Sequence, residues 1–257
     1  MTQAKPTIHI ASCSFGKDSI ATILAGLEHG DPIDRVVFAE VMFDNARGIS
    51  GEIPEHIEWI YNTAIPKMRE MGLTIDVVRS DMDYIDYFIQ RRKSGKYAGK
   101  FGGFPLGGMC KINSACKVAP IHKYLKDYRA THDVIQYIGI AADEPKRLAR
   151  LDGTTKISLL AKYNITESMA HDMCRDAGLL SPIYDTGTRG GCWFCPNQRI
   201  RTMAKFRTSH PELWDELRAF SRIPNLCSQN FKYDKTFAEI ERMMDVASQP
   251  TLFDNYE

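Results

Sequence analysis

Long apolar runs are missing from this sequence. None of its 257 residues lies in a stretch approaching the ~20 apolar positions that a bilayer-spanning helix needs. The first residues lack the apolar core of a secretory leader, so a cytoplasmic protein with no membrane partner is expected. There is no internal repeat and no low-complexity tract. Net charge is only +1, so no bulk polarity marks the chain as a polyanion binder. The loop after the first apolar run has no Walker A spacing, which excludes the ordinary P-loop. With 44% hydrophobic and 25% charged residues, the composition is that of a folded globular chain. In a reducing compartment its seven cysteines point to metal or thiol chemistry rather than disulfides.

The near-neutral total hides two segments that lack acids altogether. Arg91 to Lys126 holds nine Lys/Arg and no Asp or Glu, and Thr186 to Pro211 holds five and none. Each predicts a surface that attracts phosphate- or sulfate-bearing partners. Short apolar runs at Ile8–Ala11, Val36–Ala39, Ile75–Val78 and Val134–Ile140 read as buried parallel strands. Helical stretches are expected over Lys17–His29, Glu52–Met71 and Ser114–Tyr128. The alternation predicts an α/β, doubly wound, mainly parallel sheet over residues 1–200. Beyond it a helical extension, 201–257, carries expected helices at Pro211–Phe220 and Lys235–Ala247. Strand signal fades past Ser181, and Lys93–Gly108 reads as a glycine-rich loop, either a flap or a surface excursion.

Ser12-Cys13-Ser14-Phe15-Gly16-Lys17-Asp18-Ser19 joins the first strand to the first helix. Such a turn presents backbone N–H groups and a helix N-terminus to a phosphate. Gly16 permits close approach, Ser14 and Ser19 offer hydroxyls, and Lys17 offers a positive charge. Asp18 would repel phosphate, so it is expected to fix the loop or to help hold Mg²⁺. Further along, Cys110 and Cys116 stand six residues apart, and Cys192-Trp193-Phe194-Cys195 is a CxxC. Two thiol pairs can supply four soft ligands, and the residues alone choose neither zinc nor an iron–sulfur cluster. Cys174 is expected in the core.

The turn resembles the PP-loop of ATP pyrophosphatases, Ser-Gly-Gly-x-Asp-Ser/Thr, with Phe15 where that pattern has its first glycine. Gly-Lys-Asp-Ser is similar, more narrowly, to the PAPS reductase family of this Rossmann-like superfamily. Glu52-Ile-Pro-Glu55, Lys117-Val-Ala-Pro120, Gly139-Ile-Ala-Ala-Asp143-Glu144 with Arg147, and Ser181-Pro-Ile-Tyr184-Asp-x-Gly187 with Arg189 resemble that family's segments in order. The resemblance implies that Ser12, Ser14, Phe15, Gly16, Lys17, Asp18 and Ser19 bind the phosphates of ATP, PAPS or APS. It puts Lys17 and Asp18 in the catalytic role and Gly139, Asp143 and Glu144 at the nucleotide pocket. Arg147 and Arg189 would face anionic groups. Cys110, Cys116, Cys192 and Cys195 would hold a [4Fe-4S] cluster or Zn²⁺. The expected activity is adenylylation of an acceptor, tRNA or DNA among the candidates, for sulfur transfer. Sulfonucleotide reduction is the alternative, but the family's C-terminal Glu-Cys-Gly-Leu/Ile-His segment is missing and the last cysteine is Cys227. A non-catalytic nucleotide-binding module is the third reading. Gln249-Pro-Thr-Leu-Phe253 resembles the peptide with which bacterial replication proteins dock to the sliding clamp.

Overall fold

The structure, a computed structural model, describes residues 4–105, 110–187 and 190–248. Arg189 and the clamp-like peptide 249–253 lie outside them. The chain divides into two compact units, Met1–Val41 with Glu52–Asp81 and Ala115–Gly190, and Met42–Gly51 with Met82–Ser114 and Gly191–Glu257. The second unit draws on three stretches of chain.

The first unit is α/β around a five-stranded parallel sheet. Its strands are β1 (Thr7–Ser12), β2 (Arg35–Glu40), β5 (Ile75–Arg79), β6 (Asp133–Ile138) and β7 (Lys156–Ile157), in the order β5-β2-β1-β6-β7. All four expected strands are present; β7, only two residues long, has too little sequence to announce itself. Alternate residues serve opposite faces, as a strand's period of two dictates. Ala11, Val36 and Phe38 join the core under α1 (Lys17–His29), while Ile8, Ile10 and Val37 pack with Leu125 of α5 (Ala119–Arg129). Helices on both faces explain why the strands read as continuous apolar runs.

The expected helix at Glu52–Met71 is α2 (Pro54–Trp59) and α3 (Ile65–Glu70) joined by a π-helical turn, Ile60–Ala64. Pro66 has no N–H to donate back to the preceding turn. The turn ahead of it widens, and Ile65 N–H reaches Ile60 O, five residues back. The same device precedes Pro120, where Asn113–Val118 is π-helical ahead of α5. Shorter helices α6 (Pro145–Leu148), α7 (Leu159–Lys162) and α8 (Glu167–Asp176) follow β6.

In the second unit, two small antiparallel pairs went unforeseen: β3 (Met42–Asp44) with β4 (Ile49–Ser50), and β8 (Asn230–Lys232) with β9 (Lys235–Thr236). Its helices are α4 (Tyr84–Ile89), α9 (Ile200–Ser209), α10 (Pro211–Phe220) and α11 (Phe237–Ala247). The last begins two residues later than expected. Thr236 and Glu239 form a capping box there, and the two residues before the helix pair as β9. Aromatic packing holds this unit together: Tyr84 on Phe194 at 4.2 Å, Phe43 on Trp193 at 4.6 Å and Trp214 on Phe237 at 5.1 Å.

Candidate nucleotide site and cysteine turn

The chain runs outward from β1 to β2 and β5, then returns to place β6 on the other side of β1. Strand order therefore reverses between β1 and β6, where an open α/β sheet leaves its ligand crevice. The turn after β1 sits at that point. Gly16 is the N-cap of α1, no side chain caps that end, and the helix is 13 residues long. Gly139, following β6, lies so close that a Cβ there would come 2.6 Å from Ser19 N. Only glycine fits this approach.

Phe15 occupies the expected glycine position with φ +56°, the left-handed region that glycine favours. Its ring is fully buried and meets Phe38 edge-on at 5.1 Å, so core packing offsets the backbone strain. Ser19 organises the turn from within. Its hydroxyl donates to Gly16 O at 2.9 Å and accepts from Ser14 N at 3.2 Å and from the Cys13 thiol at 3.6 Å. Lys17 N donates to the Tyr184 hydroxyl at 2.9 Å, and Phe15 N donates to Cys13 Sγ at 3.4 Å. Among the described residues, no acceptor takes the N–H groups of Gly16 or Asp18. Ser12 faces sideways, accepting from Gln136 Nε2 at 2.7 Å.

Lys17 Nζ lies 2.6 Å from Asp18 and 3.7 Å from Glu167. Partial burial works to lower its pKa, but the Asp18 bond and the two carboxylate charges outweigh this and raise it. Asp18, Glu144 and Glu167 bring carboxylate oxygens within 4.8 Å of one another. Asp143 is exposed, and its carboxylate accepts from Glu167 N at 3.1 Å, at the first turn of α8. Arg147 is bonded to Glu144 at 2.6 Å, so its charge is already paired.

Sequence reasoning gave no role to three neighbours of the turn. Glu167 opens α8 behind the N-cap Thr166. Tyr184 belongs to the Ser-Pro-Ile-Tyr segment, whose match supplied no function for it. His56, next to Glu-Ile-Pro-Glu, is 1% exposed, with Nδ1 2.8 Å from Ser181 Oγ and a ring bond to the Ser14 backbone. Burial pushes its pKa down to about 4, with the Lys117 charge acting in the same direction, so the ring is neutral at pH 7. Cys174 is in the core as expected, and its thiol also donates to Lys17 O at 3.2 Å. Burial raises its pKa to about 12 and that of Cys13 to about 11, which leaves both as inert thiols.

In the second unit Cys192 and Cys195 close a turn, Cys195 N donating to Cys192 O at 3.0 Å. The buried Trp193 and Phe194 between them fix it. Trp193 donates from its backbone to Gly51 O at 2.9 Å and from its ring to Ser50 O at 3.0 Å. Lys232 Nζ donates to Pro196 O and Gln198 O at 2.8 and 2.7 Å. Tyr84 is wholly buried against Phe194. Its pKa is raised by burial first, then by the nearby Cys110, Tyr87 and Cys192. Two buried side-chain atoms lack a hydrogen-bond partner among the described residues, Tyr84 Oη and Gln198 Oε1. Gln198 is itself tied to the turn through Nε2 to Cys192 O at 2.9 Å. None of the seven cysteines forms a disulfide. Cys116 belongs to the first unit and is buried in the π-helical turn before α5.

Comparison of the chain with family models, with curated proteins and with solved structures gave no match.

Proposed function

We propose that the protein is a PP-loop enzyme that binds ATP and transfers its AMP to an oxygen of a nucleic-acid acceptor, preparing that oxygen for replacement by sulfur. The observation that carries this reading is the Ser12–Ser19 turn at the reversal of strand order, with Gly139 drawn against it. Gly16 and Asp18 offer N–H groups that no described residue accepts, at the uncapped start of α1, where the helix dipole favours an anion. Lys17 adds a positive charge where negative charge develops on pyrophosphate as the acceptor oxygen bonds to the α-phosphorus and the α–β bond breaks. Asp18, Glu144 and Glu167 would hold Mg²⁺, which supplies further neutralisation of the leaving group when bound. Lys17 now uses two of those carboxylates; a divalent cation there would free its ammonium for phosphate.

Cys110, Cys192 and Cys195 would supply soft ligands in the second unit. The buried Tyr84 hydroxyl, lacking an acceptor, suits a thiolate or sulfide beside it. Either Zn²⁺ or a [4Fe-4S] cluster fits this donor set, and it would supply a sulfur-binding or electron-accepting centre.

The test is pyrophosphate release from ATP in the presence of tRNA or DNA, with metal analysis of protein purified without oxygen. Acceptor-dependent pyrophosphate and AMP are expected. Sulfite release from PAPS or APS, abolished by Cys227→Ser, would instead establish the reductase. ATP binding with neither product would leave a non-catalytic module.

A further inference from the structure

The segment read as a glycine-rich loop, Lys93–Gly108, overlaps a hairpin that begins at Gln90. Arg92 N donates to Lys100 O, Gly99 N to Arg92 O and Gly102 N to Gln90 O, each at 2.9 Å, around an antiparallel bridge from Arg91 to Phe101. Its root is fixed within the second unit. Phe101 N donates to Asn225 O at 3.0 Å, and Cys227 N donates to Phe101 O at 2.9 Å. The Arg91 guanidinium covers the Phe101 ring at 4.2 Å, and the Arg92 side chain bonds to Tyr87 and Cys227. Residues 93–99 are all exposed.

At the exposed end, Tyr97 keeps 42% of its surface in solvent, with Lys96 Nζ 5.6 Å and Lys100 Nζ 5.9 Å from its ring centre. Gln90 to Gly103 contains Arg91, Arg92, Lys93, Lys96 and Lys100, and no Asp or Glu. An exposed aromatic face between ammonium groups that form no ion pair among the described residues, on an anchored hairpin, matches one kind of ligand: an unstacked base flanked by phosphates. Duplex bases are already stacked on one another. A bilayer would need more apolar surface than one tyrosine provides.

We infer that the Gln90–Gly102 hairpin grips an unpaired stretch of nucleic acid, with Lys93, Lys96 and Lys100 on phosphates and Tyr97 stacked on a base. This deepens the proposed function by naming the acceptor as single-stranded at the point of contact, and rests on that reading only for the reaction.

The experiment is fluorescence anisotropy of the full chain with labelled single-stranded DNA and RNA of about 20 nucleotides, and with the duplex, across a salt series. Tyr97→Ala should weaken single-strand binding by about 5- to 100-fold, whereas Tyr97→Phe keeps it. Lys96→Ala and Lys100→Ala should each reduce the salt slope by about 0.7. Whichever of DNA and RNA binds more tightly identifies the source of the strand. Unchanged binding by Tyr97→Ala, a duplex bound as tightly as the single strand, or no single-strand binding by the unaltered protein would overturn the inference. Tyr97→Ala should bind ATP normally, while Lys17→Ala should lose ATP and keep the oligonucleotide. Tyr97-dependent binding without pyrophosphate release would leave the hairpin standing and remove the reaction.

Discussion

Gly139 and Ser19 are in backbone contact: a methyl group on the glycine would stand 2.6 Å from the serine nitrogen. The end of one central strand thus positions the first turn of the helix that follows another. Gly139→Ala should push α1 away, destabilise the protein by about 1–3 kcal/mol and weaken ATP binding together with it. Urea unfolding and calorimetric titration read the two. Intact stability with full ATP affinity would show that the contact does not shape the turn.

Phe15 couples a left-handed backbone to a buried ring, and the two effects oppose each other. Phe15→Ala should lose the ring's burial and keep the strained backbone, costing about 3–5 kcal/mol. Phe15→Gly loses the same ring but relieves about 1 kcal/mol of strain. The glycine variant should therefore be the more stable of the two in urea, against the usual order of glycine and alanine.

Lys17 Nζ lies against both Asp18 and Glu167, so a divalent cation bound there would compete with it. Lys17→Met should bind Mn²⁺ about tenfold more tightly in the absence of nucleotide, because an ammonium within hydrogen-bond range has gone. The same variant should lose roughly a hundredfold or more in pyrophosphate release, as when one donor to a developing anion is removed. Paramagnetic resonance of Mn²⁺ and a coupled pyrophosphate assay measure the two. Effects of the same sign would contradict the competition.

His56 makes acid stability sensitive to a single ring. Its folded pKa of about 4 lies below the ordinary 6.5, so the unfolded chain takes up the proton more readily. The stability held by the neutral ring is complete above pH 6.5 and declines as pH falls towards 4. The full loss is on the order of 3 kcal/mol. His56→Gln should flatten the urea-midpoint curve in this window, and an unchanged slope would place the acid sensitivity elsewhere.

Tyr84 gives a test of the cysteine turn whose sign depends on loading. In metal-free protein, Tyr84→Phe removes an unsatisfied buried hydroxyl and should leave stability unchanged or raise it by about 1 kcal/mol. With a cluster or zinc in place, the same change removes a donor to sulfur and should lower metal retention against a chelator. For a cluster it should also lower the reduction potential. Equal effects with and without metal would mean that the hydroxyl never meets the site.

The four main strands and α1 were legible because parallel strands covered on both faces leave uninterrupted apolar runs, and a strand–glycine–helix turn has its own local chemistry. Lys17, Asp18 and Ser19 could be read from the same turn. The π turns before Pro66 and Pro120 were not read, although the prolines that cause them are visible. The small pairs β3–β4 and β8–β9 are too short to carry a period.

The sequence by itself determined an α/β sheet and a polar turn after β1, because local spacing and residue chemistry decide both. Tertiary structure alone decided that Gly139 lies against Ser19, that Glu167 joins Asp18 and Glu144, that His56 is buried neutral beneath the turn and that Tyr84 Oη is left without an acceptor. Those relations link residues 23 to 149 positions apart, and no local propensity encodes such a distance; the packing of helices against the sheet and of aromatic rings in the second unit sets it.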